Sequence, residues 1–459
     1  MKNCNFRAVA IIVAFSLLTG CGAHAGVEDN NLGEIEPELI EIEDLSDAWG
    51  TILNSATKEF IGGHPIDESF LMMITSEYGE ETIKEIASYA NFTTPEIWYK
   101  LTGKSVHVLW YEYCQQTGLE AYDNRKTYVL PNEDGGDIVI DFTGDVSLAD
   151  GIATTNYMDQ QEEGILDCFS EDLLFEMRSA DILMINNEFA YTSRGQALQG
   201  KAYTFRANPS RVGLLKELGV DCVSVANNHV YDYDTTGFLD TLDTLSNASM
   251  PYVGAGVDLK EAAEPLYFIV GGRKIAIVAA TQIERTLSYT KEATPDSPGV
   301  LKCLHPELFC QIIKKAQTNA DYVIVVPHWG TEGNAYYGND QASLARSFVE
   351  AGADVIVGGH THCLQTVEYM DDVPIFYSLG NFWFSTTANM PSDYSTGMAQ
   401  IRITPDGEIE TYFIPCHFSN GVTTMLSSED EKYSDIINSL NGLSSSAVID
   451  EQGHIKEDF

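Results

Sequence analysis

The chain has 459 residues, of which 44% are hydrophobic and 20% are charged, as is usual for a globular protein. Asp and Glu number 68 against 26 Lys and Arg, so the formal net charge at pH 7 is −42. This excess argues against nucleic acid as a partner, because binding a phosphate backbone requires cationic side chains that displace counterions. We attribute most of the charge to the solubility of an exported protein.

The first 20 residues have the pattern of an export signal. Lys2 and Arg7 supply positive charge, and the apolar run that follows, residues 8–18, is too short to span a bilayer with ease. The run ends in Leu-Thr-Gly-Cys21, which is typical of a bacterial lipobox. We therefore predict that residues 1–20 are a lipoprotein signal peptide and that acylated Cys21 anchors the protein outside the cytoplasm, on the bacterial cell membrane. The alternative is an ordinary cleavage site beside a chance cysteine.

Two regions precede the main body of the chain. Residues 21–47 are small and acidic, and mutual repulsion predicts an extended tether. Residues 48–130 predict a small helical domain, because apolar residues recur at helical spacing in the segments 70–74 and 83–87. Nothing in this domain suggests chemistry.

The body, residues 137–418, alternates short apolar runs with helical patterns, which predicts an α/β layered sheet. Seven runs are predicted to be buried strands: Ile138–Phe142, Ile182–Ile185, Cys222–Val225, Ile275–Ala279, Tyr322–Val326, Val355–Val357 and Ile375–Tyr377. A polar C-terminal tail, residues 419–459, is predicted to follow, with a mobile stretch at residues 442–446. Cys303 and Cys310 are candidates for a disulfide that the sequence does not decide.

Five of the predicted strands lead directly into residues that can bind metals. Because parallel strands bring their carboxyl ends to one edge of a sheet, these residues are expected to converge. The strands lead to Gly144-Asp145, to Asn187-Glu188, to Asn227-Asn228-His229, to His328 and to His360-Thr361-His362.

Each of these motifs also has an ordinary structural interpretation as a turn, a cap or a solvated side chain. His360 and His362 form the strongest single motif, because two histidines at i and i+2 after two glycines can direct their imidazoles at one centre. Carboxylate, carboxamide and imidazole ligands suit divalent Mn, Fe or Zn ions. The set is large enough for two ions, which a carboxylate can bridge and which can activate a water molecule.

These motifs, in this order, resemble the CapA family of bacterial capsule (poly-γ-glutamate) biosynthesis proteins, relatives of the calcineurin-like metallophosphoesterases. The resemblance covers residues 137–415 and also includes Tyr231-Asp232-Tyr233, Val253-Gly254-Ala255-Gly256, Trp329-Gly330-Thr331-Glu332 and Ser378-Leu379-Gly380-Asn381. It implies a four-layer α/β/β/α sandwich around a dinuclear metal centre.

The resemblance also implies roles for individual residues. Asp145 and His362 would bind one metal ion, and Asn228, His328 and His360 the other, with Glu188 between them. His229 would be the general acid. We assign Asn227 and Glu332 to substrate binding.

Two positions depart from the usual phosphoesterase pattern. Ser147 stands where a histidine ligand is expected, and Glu188 stands in place of a bridging aspartate. One metal site is therefore expected to be weaker, or the reaction to differ from phosphoester hydrolysis.

The leading functional hypothesis is a cell-surface metal-dependent hydrolase of the phosphoesterase type, acting in capsule or envelope polymer biosynthesis. An alternative is a non-catalytic, metal-dependent accessory protein that binds an anionic polymer within a capsule synthesis or export complex. Lys201, Arg206 and Arg211 are candidates for its basic patch. A glycosidase that uses Asp145 and Glu188 is a third reading, but it leaves the histidines without a role.

Overall fold

The structure is a computed structural model that describes residues 42, 44–54, 66–89, 96–120, 124–132, 135–284, 289–385 and 393–458. The predicted signal peptide and Cys21 lie outside these residues. Within the described ranges, no helix has the length and apolar character needed to cross a membrane. The described residues form two compact units, the smaller ending at Gly103 and the larger beginning at Lys104.

The smaller unit is helical, as the sequence predicts. Its helices are α1 (Leu45–Asn54), α2 (Glu68–Tyr78), α3 (Glu80–Ser88) and α4 (Glu96–Thr102). Helix α2 begins after Asp67, whose side chain accepts a hydrogen bond from the backbone N–H of Phe70, as expected of an N-cap. Its apolar residues Phe70, Leu71 and Ile74 are buried, so helical spacing correctly marked the inward face.

The larger unit begins with α5 (Val106–Thr117), which the prediction placed in the helical domain. The strands that follow are β1 (Thr127–Val129), β2 (Ile138–Val146), β3 (Ile182–Asn187), β4 (Ala190–Tyr191), β5 (Arg206–Ala207), β6 (Cys222–Ser224), β7 (Tyr252–Val253), β8 (Ala255–Gly256), β9 (Leu266–Val270), β10 (Arg273–Thr281), β11 (Gly299–Val300), β12 (Tyr322–His328), β13 (Val355–Val357), β14 (Leu364–Met370), β15 (Val373–Leu379), β16 (Asn381–Trp383), β17 (Asp393–Ile403), β18 (Ile409–Ser419), β19 (Val422–Met425), β20 (Ala447–Ile449) and β21 (Ile455–Glu457). The helices among them are α6 (Ala153–Met158), α7 (Glu171–Ser179), α8 (Gly213–Glu217), α9 (Asp234–Asn247), α10 (Leu259–Ala262), α11 (Glu307–Gln317), α12 (Asn339–Ala351) and α13 (Glu431–Leu443).

Two large sheets organise this unit. One has the order β1-β9-β10-β12-β13-β15-β14, and the other has the order β19-β18-β17-β2-β3-β6-β7, with β16 beside β2. All seven predicted strands are present. β2, β3 and β6 are parallel neighbours in one sheet, and β10, β12, β13 and β15 are parallel neighbours in the other. The predicted α/β class is therefore confirmed.

Three apolar clusters hold the larger unit together. One combines residues of both sheets, among them Ile140, Met184, Ile277 and Ile324. A second packs the eight-stranded sheet against α7 and α9, and a third packs the seven-stranded sheet against α11 and α12. Strands buried on both faces explain why the predicted strands are continuous apolar runs rather than alternating ones. The seven cysteines in the described ranges are all free thiols, Cys303 and Cys310 included.

The C-terminal segment is folded, although its composition predicted a polar tail with a mobile stretch at residues 442–446. Helix α13 buries Ile436, Ile437 and Leu440 in the apolar cluster that both sheets share. Its polar residues cover the opposite face. The high polar content of the whole segment therefore gave no indication of an amphipathic helix.

The serines that follow α13 bind the buried carboxylate of Glu368 on β14. Ser445 donates its backbone N–H to Glu368 at 3.0 Å, and the hydroxyls of Ser445 and Ser446 donate at 3.1 Å and 2.5 Å. These bonds satisfy a charge that would otherwise be costly to bury.

We expect Glu368→Gln to destabilise the larger unit by about 1–3 kcal/mol, because a buried charged acceptor is lost and the serine donors keep weaker partners. Urea unfolding would measure the change. Glu408→Gln, at an exposed position on the β17–β18 turn, is the matched control and should leave the unfolding midpoint unchanged. Equal midpoints for both variants would contradict the role given to Glu368.

Candidate metal centre

The carboxyl ends of five strands meet at one place, as the motif positions predicted. Two overlapping groups of buried or half-buried side chains there place their ligand atoms within 4.8 Å of one another. The groups are Glu188 with His328 and His360, and Asp145 and Glu188 with His362. Glu188 belongs to both groups, so the two groups share a carboxylate, and the side chains are of kinds that can hold a metal ion.

Asp145 lies at the end of β2 and is fully buried. Its Oδ1 accepts a 2.7 Å hydrogen bond from the side-chain amide of Asn186, and its backbone N–H donates to Gly380 O at 2.8 Å. The preceding residue must be glycine, because a Cβ at Gly144 would lie 2.0 Å from that same Gly380 oxygen. The Gly144-Asp145 pair is therefore fixed by close packing of two backbone segments.

Glu188 follows β3 and is also fully buried. Burial first, and then the neighbouring charge of Asp145, raise the pKa of this carboxyl well above its ordinary value. Its Oε1 has no hydrogen-bond partner, and the same is true of Oδ2 of Asp145. Two buried, unpartnered carboxylate oxygens next to imidazoles fit a bound divalent cation, which would supply the missing partner.

His328, Asn228 and His360 surround one point beside Glu188. His328 Nε2 lies 2.7 Å from Asn228 Oδ1, 3.1 Å from His360 Nδ1 and 3.6 Å from Glu188 Oε1. Burial and the nearby His360 lower the pKa of His328 well below its usual value, which keeps the imidazole neutral and able to bind a metal.

His360 and His362 have backbone φ angles of +93° and +59°, in the region that side-chain-bearing residues rarely adopt. Such strain persists where the surrounding structure compensates for it, and it concentrates at functional sites. His362 Nδ1 lies 2.8 Å from Asn381 Oδ1 and 3.4 Å from Asp145 Oδ2. Burial lowers the pKa of His362, but the nearby Asp145 carboxylate and then the charge of Glu332 outweigh it, so the pKa is raised overall.

His229 has a different environment from the other histidines. Its Nδ1 lies 2.7 Å from Asp232 Oδ2, while its Nε2 faces the centre at 4.0 Å from Glu188 Oε1. Burial lowers the pKa of His229 against the opposing charge of Asp232. Lys201 Nζ lies 2.7 Å from the other oxygen of Asp232, so a buried cation holds that carboxylate in place. This arrangement leaves one imidazole nitrogen available for proton transfer.

The two residues assigned to substrate binding lie in different settings. The side-chain amide of Asn227 is fully buried and donates to Asn186 Oδ1 and Asn187 O. Its oxygen accepts the backbone N–H of His229, so Asn227 also holds the loop that carries His229. Glu332 is exposed, and its charge helps to raise the pKa of Glu188, so it lies near the centre.

Ser147 is buried beside the site, where its backbone N–H donates to Trp383 O at 3.2 Å. The two ligand groups include no cysteine. Cys363 adjoins His362, but burial raises the pKa of its thiol, which disfavours the thiolate that a metal would need.

The predicted basic patch is not formed by free cations. Lys201 contacts Asp232, and Arg211 pairs with Asp150 at 2.7 Å and with Asp159 at 2.8 Å. The guanidinium of Arg206 lies 4.6 Å from the centre of the Tyr233 ring. Lys201 and Arg211 are therefore paired with carboxylates, whereas Arg206 lies at an exposed position.

Three residues of the site received no role from the sequence. Asn186 orients Asp145, Asn381 orients His362, and Asp232 orients His229. Each stands within two or three residues of a predicted site residue or inside a quoted motif, but only the folded geometry shows which atom each one contacts.

Comparison with known proteins adds to this geometry. Residues 139–386 match a family described as "Bacterial capsule synthesis protein PGA_cap". The chain is similar to the PGA biosynthesis protein CapA of Bacillus subtilis, with 34% identity over 242 residues that cover 52% of this chain and 63% of that protein. It is also similar to the capsule biosynthesis protein CapA of Bacillus anthracis, with 33% identity over 219 residues, 47% of this chain and 52% of that one.

A third relative is a protein of Mycobacterium tuberculosis named a probable polyglutamine synthesis accessory protein. It is 27% identical over 216 residues, which cover 45% of this chain and 57% of that protein. The match therefore spans between about half and two thirds of the length of these curated relatives. All of the strand-end ligand motifs lie within the family match.

Proposed function

The chain belongs to the PGA_cap family of bacterial capsule synthesis proteins, and from this premise we propose that it is a metal-dependent hydrolase of the phosphoesterase type. We propose further that it acts in the biosynthesis of capsule, poly-γ-glutamate or another envelope polymer. The observation that carries the proposal is the position of Glu188, which belongs to both ligand groups and whose unpartnered, buried Oε1 lies 4.0 Å from Nε2 of His229.

The residues proposed to hold metal are those that the strand ends bring together. Asp145 and His362 would hold one ion, and Asn228, His328 and His360 the other, with Glu188 shared. The mixture of carboxylate, amide and imidazole suits Mn, Fe or Zn. Bound divalent ions would lower the pKa of a coordinated water and stabilise negative charge on a phosphoryl oxygen.

The chain's own contribution to proton transfer comes from His229. Asp232 accepts the Nδ1–H of the imidazole and stabilises its protonated form, so that Nε2 can give a proton to the leaving oxygen. Lys201 offsets the charge of Asp232 from the far side. The imidazole is thereby fixed in orientation, with its reactive nitrogen directed at the centre.

Two finer statements belong to the same proposal. The three apolar clusters support a four-layer α/β/β/α arrangement of helices and sheets. The Leu-Thr-Gly-Cys21 pattern supports export and a lipid anchor on the outside of the cell membrane.

The first test is an assay of the mature chain loaded in turn with Mn²⁺, Fe²⁺ or Zn²⁺, against phosphomonoesters and phosphodiesters. Hydrolysis should appear with at least one metal, disappear in chelator and return when the metal is restored. Full activity in chelator would contradict the proposal. It would instead favour a glycosidase that uses the carboxylates of Asp145 and Glu188, both of which are fully buried.

We expect His229→Gln to lower kcat for phosphoester hydrolysis by about 10²–10⁴-fold, because proton donation to the leaving oxygen is lost. Metal content, measured by plasma mass spectrometry, should stay at the wild-type value. His305→Gln replaces an exposed histidine and should change neither quantity. A variant at position 229 that lost metal together with activity would make this histidine a ligand rather than an acid.

A non-catalytic accessory role is the second candidate. The name of the Mycobacterium tuberculosis relative favours it, because that protein is described as an accessory to polymer synthesis. Binding of poly-γ-glutamate that required metal, in a protein that cleaved no phosphoester, would support this role over hydrolysis.

A further inference from the structure

A row of aromatic rings leads from the protein surface to the metal centre. Tyr203 and Phe205 lie nearly parallel, with ring centroids 6.5 Å apart and an angle of 8° between planes. Phe205 lies 4.7 Å from the His229 ring and 5.0 Å from Phe384, and Phe384 meets His362 edge-on at 5.5 Å. We call Tyr203, Phe205 and Phe384 the aromatic row. Its inner rings contact both the proposed acid, His229, and a proposed ligand, His362.

Burial changes steeply along the aromatic row. Phe384 is 0% exposed and Phe205 is 7% exposed, whereas Tyr203 is 46% exposed. The inner rings are therefore fixed by packing, while the outer ring presents much of its surface to solvent. The aromatic row thus ends in an accessible aromatic surface that reaches His229 through Phe205.

The backbone ties the aromatic row to the proposed acid. The N–H of Phe205 donates to Asp232 Oδ2 at 2.6 Å, and the same oxygen lies 2.7 Å from His229 Nδ1. One carboxylate therefore sets the position of both the row and the imidazole. A group that stacked on Tyr203 would be held at a defined distance from the nitrogen that donates the proton.

The charges around the centre restrict what can bind there. Glu188, Asp145 and Asp232 are buried at the site, and Glu332 adds an exposed carboxylate near it. Lys201 forms ion pairs with Asp232 and Glu284. Bound divalent ions would neutralise Glu188 and Asp145, and Lys201 offsets Asp232, so Glu332 is the acid of this group that would repel a leaving group rich in carboxylates. An uncharged leaving group avoids this repulsion.

We propose that Tyr203 is a specificity-determining residue that stacks on a ring in the alcohol portion of the substrate. The substrate class is then a phosphoester of an uncharged, ring-bearing alcohol, with either a planar base or a saturated sugar ring. This inference rests on the proposed phosphoesterase function. An aromatic pair contributes about 0.5–1.5 kcal/mol beyond the area that it buries, so the ring should improve affinity about two- to tenfold.

Phosphonates test this inference without requiring hydrolysis, because their C–P bond is not an ester. We would measure Kd by calorimetry for 2-phenylethylphosphonate, 2-cyclohexylethylphosphonate and n-heptylphosphonate with the full mature chain loaded with Mn²⁺. In Tyr203→Leu, we expect the affinity for one or both ring compounds to fall about three- to tenfold, with the acyclic affinity unchanged. Tyr203→Phe should keep the wild-type values. The ring compound that loses more affinity distinguishes a planar base from a sugar ring.

Tyr128→Leu is the matched control, because Tyr128 is 39% exposed and lies 5.8 Å from Phe268, away from the strand-end ligands. It should leave all three affinities unchanged. Equal losses for all three phosphonates in Tyr203→Leu, no loss for either ring, or no binding to the wild type would each overturn the inference. Selective loss in a protein that hydrolyses no phosphoester would instead overturn the proposed function and leave the ring preference standing.

Discussion

Replacing His360 with Ala should remove the metal ion that it shares with His328 and Glu188 and should reduce hydrolysis to background. The three side chains place their ligand atoms within 4.8 Å of one another, so the loss of one imidazole leaves Glu188, His328 and the weaker amide ligand of Asn228. We expect the metal content to fall by about one ion per chain, because a site this small does not tolerate the loss of a ligand. Hydrolysis should fall about 10³-fold or more, equivalent to several kcal/mol of charge stabilisation.

Plasma mass spectrometry of the purified chain measures the metal content, and His305→Ala is the control for removal of a histidine at an exposed position. The positive φ of His360 helps to separate structure from chemistry. His360→Gly relieves that strain and should fold at least as well as the Ala variant while still losing metal. An unchanged metal stoichiometry in both variants would show that His360 is not a ligand.

Glu188→Gln should abolish metal binding and at the same time stabilise the metal-free protein. Burial and the charge of Asp145 raise the pKa of the Glu188 carboxyl well above its ordinary value of 4.5. The folded metal-free chain therefore holds the proton more tightly than the unfolded chain does. Its stability falls as the pH rises from about 4.5 towards the raised pKa.

The glutamine side chain has a similar shape and carries no charge, so this loss is absent from the variant. At pH 7.5 in chelator, we expect Glu188→Gln to exceed the wild type in free energy of unfolding by at least about 1 kcal/mol. The difference should shrink as the pH approaches 4.5. Urea unfolding at several pH values measures it, and Glu408→Gln is again the exposed control. A less stable variant at pH 7.5 would contradict the burial argument.

The sequence predicted the α/β core well because its strands are buried on both faces. Runs such as Ile275–Ala279 and Tyr322–Val326 are continuous and aliphatic, and the structure places them in β10 and β12. The C-terminal segment was predicted wrongly because α13 carries only a narrow apolar face among polar residues. Its helix depends on long-range packing against both sheets, and that packing has no local signal in the sequence.

The candidate site was predictable in its residues and less so in its contacts. The i, i+2 spacing of His360 and His362 was enough to predict them as ligands. The hydrogen bond between His229 and Asp232, in contrast, depends on the conformation of the loop that Asn227 holds in place. The contact of Asn381 with His362 depends on β16, which returns to pair with β2 from a distant part of the chain. The metal identity and the catalytic roles remain predictions that the experiments above address.

The binding of Ser445 and Ser446 to Glu368 has a consequence for the order in which the larger unit can fold. The apolar cluster between the sheets contains Ile138 from the first long strand and Ile455 from the last short one. Domains generally fold as whole units during synthesis, and contacts this distant in sequence form slowly. A nascent chain that has emerged only as far as β18 therefore lacks part of this apolar cluster. The cluster is completed only when α13, β20 and β21 have been synthesised. Such a delay would be compatible with the export that the Leu-Thr-Gly-Cys21 pattern predicts.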